Sequence, residues 1–140
     1  MPINPPTVDL RPLLAPSIGA IGGVADWAIY IGKEPSEPVN VITLYDTPGG
    51  APNPKWLVDE PRFQVRVRAV DYAIGWSKAN AVRDLLLGLP SQTINGTRYV
   101  GVYVVIDTGF LMQDEAKRSI FVSTWRVIRE PAEGANRRPL

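Results

Sequence analysis

Few residues in this sequence can do chemistry. Its 140 residues include neither histidine nor cysteine. That excludes thiol nucleophiles, disulfides and CxxC redox centres, histidine-assisted triads and the common zinc sites. Carboxylates remain, and Asp46, Asp59, Glu60, Asp107, Asp114 and Glu115 are the candidates for paired acid–base work or for an oxygen-liganded metal. Only neighbours such as Asp114 and Glu115 are close in sequence, and adjacent loop residues usually point to solvent. The sequence therefore assigns no catalytic residue, no cofactor and no metal ligand. Gly22-Gly23 and Gly49-Gly50 lack the Gly-Lys-Ser/Thr continuation of a phosphate loop. Asn95-Gly96-Thr97 has the form of a glycosylation acceptor, but Asn-Gly is foremost a hairpin turn.

A stripe of Arg62, Gln64, Arg66 and Arg68 alternates with Phe63, Val65, Val67 and Ala69. A period of two places the cationic set on one face of a strand and the apolar set on the other. The cationic face could be plain solvated surface, a contact with an acidic patch of a neighbouring subunit, or a contact with nucleic-acid phosphates. Residues 1–60 carry three Lys/Arg against seven Asp/Glu, a charge of −4, and residues 61–140 carry twelve against seven, a charge of +5. The acidic half supplies Asp46, Asp59 and Glu60, and such a split suits self-association through complementary patches. A net charge of +1 is far from the strongly basic balance of a nucleic-acid-binding domain. Trp27 and Trp125 fall in strand-like stretches and belong to the core. Trp56 falls in a Pro-rich loop and Trp76 at the start of a helix, where an aromatic anchors an interface or packs under its own loop. Candidate interface residues are Arg66, Arg68, Asp46, Trp56, Asp114 and Glu115.

The elements that would position these residues follow from pattern. The length fits one domain, and ten of the 14 prolines precede residue 60, which marks an irregular front half. Strands are expected over Asp26–Gly32, Val39–Asp46, Arg62–Val70, Tyr99–Asp107 and Ser119–Arg129, all rich in β-branched and aromatic residues. Asp71 can cap a helix running to Leu87, with Gly88 and Pro90 ending it. Asp9 could cap a short helix over Leu10–Ala15. Gly109–Lys117 reads as a loop with an acidic tip. The expectation is an α+β fold with a mainly antiparallel sheet of about five strands and one main amphipathic helix on one face. Residues 1–8 form a Pro-rich arm, 9–129 the domain, and 130–140 a polar tail. No apolar run reaches the roughly 20 residues of a membrane helix, and the N-terminus lacks the layout of a signal peptide.

Several of these segments come in a recognisable order. Ile31-Gly32-Lys33-Glu34-Pro35 is followed by Val41-Ile42-Thr43-Leu44-Tyr45-Asp46-Thr47-Pro48-Gly49-Gly50 and by Phe63-Gln64-Val65-Arg66-Val67-Arg68-Ala69. Then come Val82-Arg83-Asp84-Leu85-Leu86-Leu87-Gly88-Leu89 and the strand Ile120 to Val127. Over residues 9–129 the chain resembles the minor capsid or tail terminator family of long-tailed bacteriophages; the segments before Asp9 and after Arg129 have no clear counterpart there. The resemblance implies a virion subunit, assembled in the host cytoplasm, that forms a homo-hexameric ring without a cofactor. The ring would cap the head-proximal end of the tail tube, with the tail tube protein and the head–tail connector protein as partners. DNA would pass through its lumen without base reading, and no membrane is involved. A head-closure or connector adaptor is the nearest rival. A small nucleic-acid-binding module using Arg62, Arg66 and Arg68 is a rival of another class.

Overall fold

The computed structural model describes residues 4–15, 27–51 and 58–130. Two helices, α1 (Pro6–Leu14) and α2 (Tyr72–Leu87), accompany six strands: β1 (Ala28–Ile31), β2 (Val41–Thr47), β3 (Arg62–Ala69), β4 (Gln92–Ile94), β5 (Thr97–Gln113) and β6 (Ser119–Glu130). The strands form a single sheet in the order β1-β2-β3-β6-β5-β4. Every pairing is antiparallel except β1 with β2, which is parallel. The class is α+β, with one strand more than expected from sequence.

The stripe on β3 sets the two faces. Phe63, Val65, Val67 and Ala69 are buried and share a face with Phe121, Ser123, Trp125 and Val127 of β6. Both helices pack there: Leu10 and Leu14 of α1 and Ala79, Val82 and Leu86 of α2 join the same apolar cluster. The Asp71 carboxylate accepts from the Ile74 amide at 2.9 Å and caps α2, while Gly88 closes its end onto the Asp84 carbonyl. Leu85 and Leu89 are only partly buried and Ile74 is exposed. Lys78 takes an inward place instead, its ammonium 5.0 Å from the Trp27 ring centre.

Three sequence expectations are corrected. Helix α1 starts at Pro6, not after Asp9, because Pro5 and Pro6 are compatible with the first helical turn. Asp9 does not cap it. Its buried carboxylate accepts from Asn4 at 3.1 Å, from Asn95 at 2.8 Å and from the Tyr99 hydroxyl, which binds α1 to the β4–β5 hairpin. Residues 109–113 are not loop but the last part of β5, and only the Asp114–Arg118 turn remains at the tip. The Asn95-Gly96 turn is borne out, with φ of 50° and 79° joining β4 to β5. Residues 1–3 of the arm, Asp26, Trp56 and the tail beyond residue 130 lie outside the described residues.

Candidate assembly surface

Chemistry of the enzymatic kind is not gathered anywhere among the described residues. The carboxylates are dispersed: Asp46 accepts from the Thr7 hydroxyl at 2.7 Å, Asp107 pairs with Arg83 at 2.7 Å, and Asp114 pairs with Arg118 at 2.7 Å. Asp59 exchanges both backbone hydrogen bonds with Arg129. Glu60 and Glu115 are exposed. No group of three potential metal ligands is found among the described residues, and no described helix is long and apolar enough to cross a membrane. The structure gives the Pro48-Gly49-Gly50 segment a packing role. A Cβ at Gly49 would lie 2.5 Å from the Glu60 carbonyl oxygen, so only glycine lets the two ends of this excursion close up.

The arginine stripe does project from the face opposite the helices, but much of that face is covered. A parallel β1–β2 pair needs a crossover, and residues 32–40 make it across this side of the sheet. Arg68 is buried beneath it, donating to the carbonyls of Pro38 at 2.8 Å and Val39 at 3.1 Å, with Glu34 at 4.0 Å. Burial, then the nearby charge of Arg118, lower the Arg68 guanidinium from its ordinary value. Arg66 pairs with Glu34 at 3.3 Å and stays partly exposed. The acid facing the stripe is thus Glu34 of the same chain. The sequence pattern could not show it, because pattern reports neither which strands are parallel nor where a crossover runs.

An unpartnered apolar surface lies on the hairpin side, and sequence pattern alone does not show it. Strand β4 covers β5 only as far as Tyr99. Beyond that the outer edge of β5 has no strand beside it among the described residues. Along this edge Tyr103, Val104, Val105, Ile106, Phe110, Leu111 and Met112 are exposed, Ile106 to 61%. The apolar surface continues onto α2, where the Tyr72 ring centre is 5.3 Å from that of Phe110 and Trp76 is exposed beside it. A long apolar edge strand left unpaired is a template for pairing with another chain. The signal was in the sequence as the apolar run of β5. It was masked because β5 carries four register shifts against β6, which break the alternation.

A buried polar cluster anchors the base of this hairpin. Arg129 donates to the Asn4 carbonyl at 2.7 Å and to the Tyr99 hydroxyl at 3.2 Å. Burial first, then the hydrogen bond to Asp9, raise the Tyr99 hydroxyl above its ordinary 10.0. The folded chain therefore holds a proton that the unfolded chain releases once pH passes about 10. The Tyr99 contribution to stability is complete below that pH and is lost progressively above it. Thermal melts between about pH 8 and 11 should show this alkaline loss, and Tyr99→Phe should flatten it.

Residues 16–130 match the family described as "Bacteriophage tail terminator protein". Among solved structures, the chain resembles one from the virion of a native gene transfer agent particle, with a TM-score of 0.59 and 18% identity, covering 82% of this chain and 85% of that one. At that identity the likeness concerns the fold. No curated protein sequence matches the chain.

Proposed function

Because the chain belongs to the bacteriophage tail terminator family, we propose that it is a structural subunit of the virion tail whose copies close into a six-membered ring. This ring caps the head-proximal end of the tail tube, contacts the tube protein on one side and the head–tail connector on the other, and leaves a lumen for DNA. The apolar surface running from α2 onto the free edge of β5 carries this reading. A chain that stayed single would leave that surface in water. In a ring each subunit offers one surface to a neighbour and receives a different one, so contacts are used up when the circle closes. Growth of the tube then stops, because the outward face of the ring no longer matches a tube subunit. Arg66, Asp46, Trp56, Asp114 and Glu115 are the further contact residues proposed, with Glu115 exposed at the hairpin tip. Arg68, held within its own chain, is not retained.

The test is solution mass together with negative-stain images of tails completed with this protein. Wild-type protein should appear as a six-fold ring at one tail end. Charged substitutions on the exposed edge, Ile106→Lys with Leu111→Lys, should leave the circular dichroism of the free chain unchanged and remove the ring. A different symmetry, or a single copy per tail, contradicts the proposal.

A further inference from the structure

The helix-free face of the sheet carries a second feature that the apolar edge does not explain. Opposed residues of antiparallel strands share a face, so the register lines up Thr47, Arg62, Arg126 and Tyr103 as one row across β2, β3, β6 and β5. Two guanidinium groups are direct cross-strand neighbours in this row, an arrangement of like charges that disfavours the isolated sheet. The Arg126 guanidinium also sits 5.5 Å from the Tyr103 ring centre.

Among the described residues, neither arginine is matched by a carboxylate in an ion pair. Among the described residues the ion pairs of this face join Arg66 and Arg68 to Glu34. The next outward acid on β6, Glu130, stands opposite Arg98. The Nε atoms of Arg62 and Arg126 and the hydroxyl of Thr47 are buried without a hydrogen-bond partner. Thr43, opposed to Arg66 on the same face, adds a further unpartnered hydroxyl. Two adjacent guanidinium groups without a carboxylate call for a negative partner, and the planar guanidinium fork fits a carboxylate.

We propose that this row is a docking site for carboxylates of a second copy of the chain, with Arg62 and Arg126 as its anchors. Charge complementarity supports that occupant. The chain's first sixty residues are net acidic and its remainder net basic, and Asp46, Glu60 and Glu115 are exposed and stand in no ion pair given by the structure. Near-neutral overall charge favours a protein acid over a polyphosphate strand. The proposal rests on the ring reading above, since the second copy is the neighbour in that ring. It adds a polar contact that fixes orientation, while the β5 edge supplies apolar area.

Arg62→Glu with Arg126→Glu should retain the wild-type circular dichroism spectrum and abolish ring formation on tails. The milder pair Arg62→Gln with Arg126→Gln should form rings that fall apart at lower salt than wild type. It keeps the test open if charge reversal unfolds the chain. Normal rings with unchanged salt resistance from the glutamine pair overturn the docking site and leave the ring intact. Wild-type protein that never forms a ring removes the ring reading itself, and the second copy with it. Loss of retention on a short DNA duplex, with rings unaffected, would assign the row to phosphate and overturn the proposal.

Discussion

Asp9→Ala is expected to destabilise the chain by about 2–4 kcal/mol, since it removes three hydrogen bonds to one buried carboxylate and leaves buried donors unpaired. Three donors converge on this carboxylate, from Asn4 just ahead of α1 and from Asn95 and Tyr99 of the β4–β5 hairpin, 86 and 90 residues along the chain. Alanine would leave the Tyr99 hydroxyl to Arg129 alone and would leave the Asn95 amide beside the hairpin turn without its acceptor. A loss of this size is a large part of the roughly 5–15 kcal/mol that holds a domain of this kind. Urea unfolding followed by tryptophan fluorescence should show a clear fall in midpoint. Asp9→Asn, which keeps one acceptor oxygen, should fall between alanine and wild type. A midpoint for Asp9→Ala equal to wild type would mean that α1 is held by Leu10 and Leu14 alone.

Phe121→Ala should cost a comparable amount, about 3–5 kcal/mol. The Phe121 ring is fully buried on β6 and is the common neighbour of Tyr72, Trp76 and Phe110, at 5.1, 6.1 and 5.6 Å between ring centres. It also explains the glycine in the first turns of α2. A Cβ on Gly75 would come 2.5 Å from the ring and 3.2 Å from the Ala69 methyl, so the helix lies flat on the sheet only with glycine there. Gly75→Ala, which on helix propensity should help, should therefore destabilise by about 1–3 kcal/mol. In the Phe121→Ala background the added methyl has room, and the penalty should shrink or change sign. Additive effects in that double-mutant cycle would sink the explanation.

The parts legible in the sequence were those fixed by neighbours along the chain. The alternation of Phe63 to Ala69 gave β3 and its two faces, Asp71 and Gly88 gave the ends of α2, and Asn95-Gly96 gave the hairpin turn. Gly75 reads as a weak point in a helix because its reason, the Phe121 ring, lies more than forty residues away. The fate of the arginines was hidden for a similar cause. Arg66 and Arg68 were placed on the correct side of β3, but a crossover invisible to periodicity lays Glu34 and two carbonyls over them. Arg62 and Arg126 become neighbours only through the β3–β6 register. Two features of the hairpin region are not settled by pattern: how far β5 runs and which of its residues are exposed, because its alternation is broken, and the role of Asp9, because its partners are tertiary.

The broken alternation of β5 has a bearing on which chains it can join. Between Arg98 and Gln113 it uses four more residues than the stretch of β6 it pairs with, and the excess enters at four separate shifts. Each shift bends the strand and strengthens its twist. Amides and carbonyls along the outer side of β5 are therefore unevenly spaced, and a straight strand laid against them would fall out of step within a few residues. A flat apolar edge would accept almost any extended chain, including unfolded copies of itself. An edge with irregular spacing accepts a complementary shape over its length and rejects the rest. The irregularity that hides β5 in the sequence thus works as a filter that makes an adhesive edge selective for a complementary one.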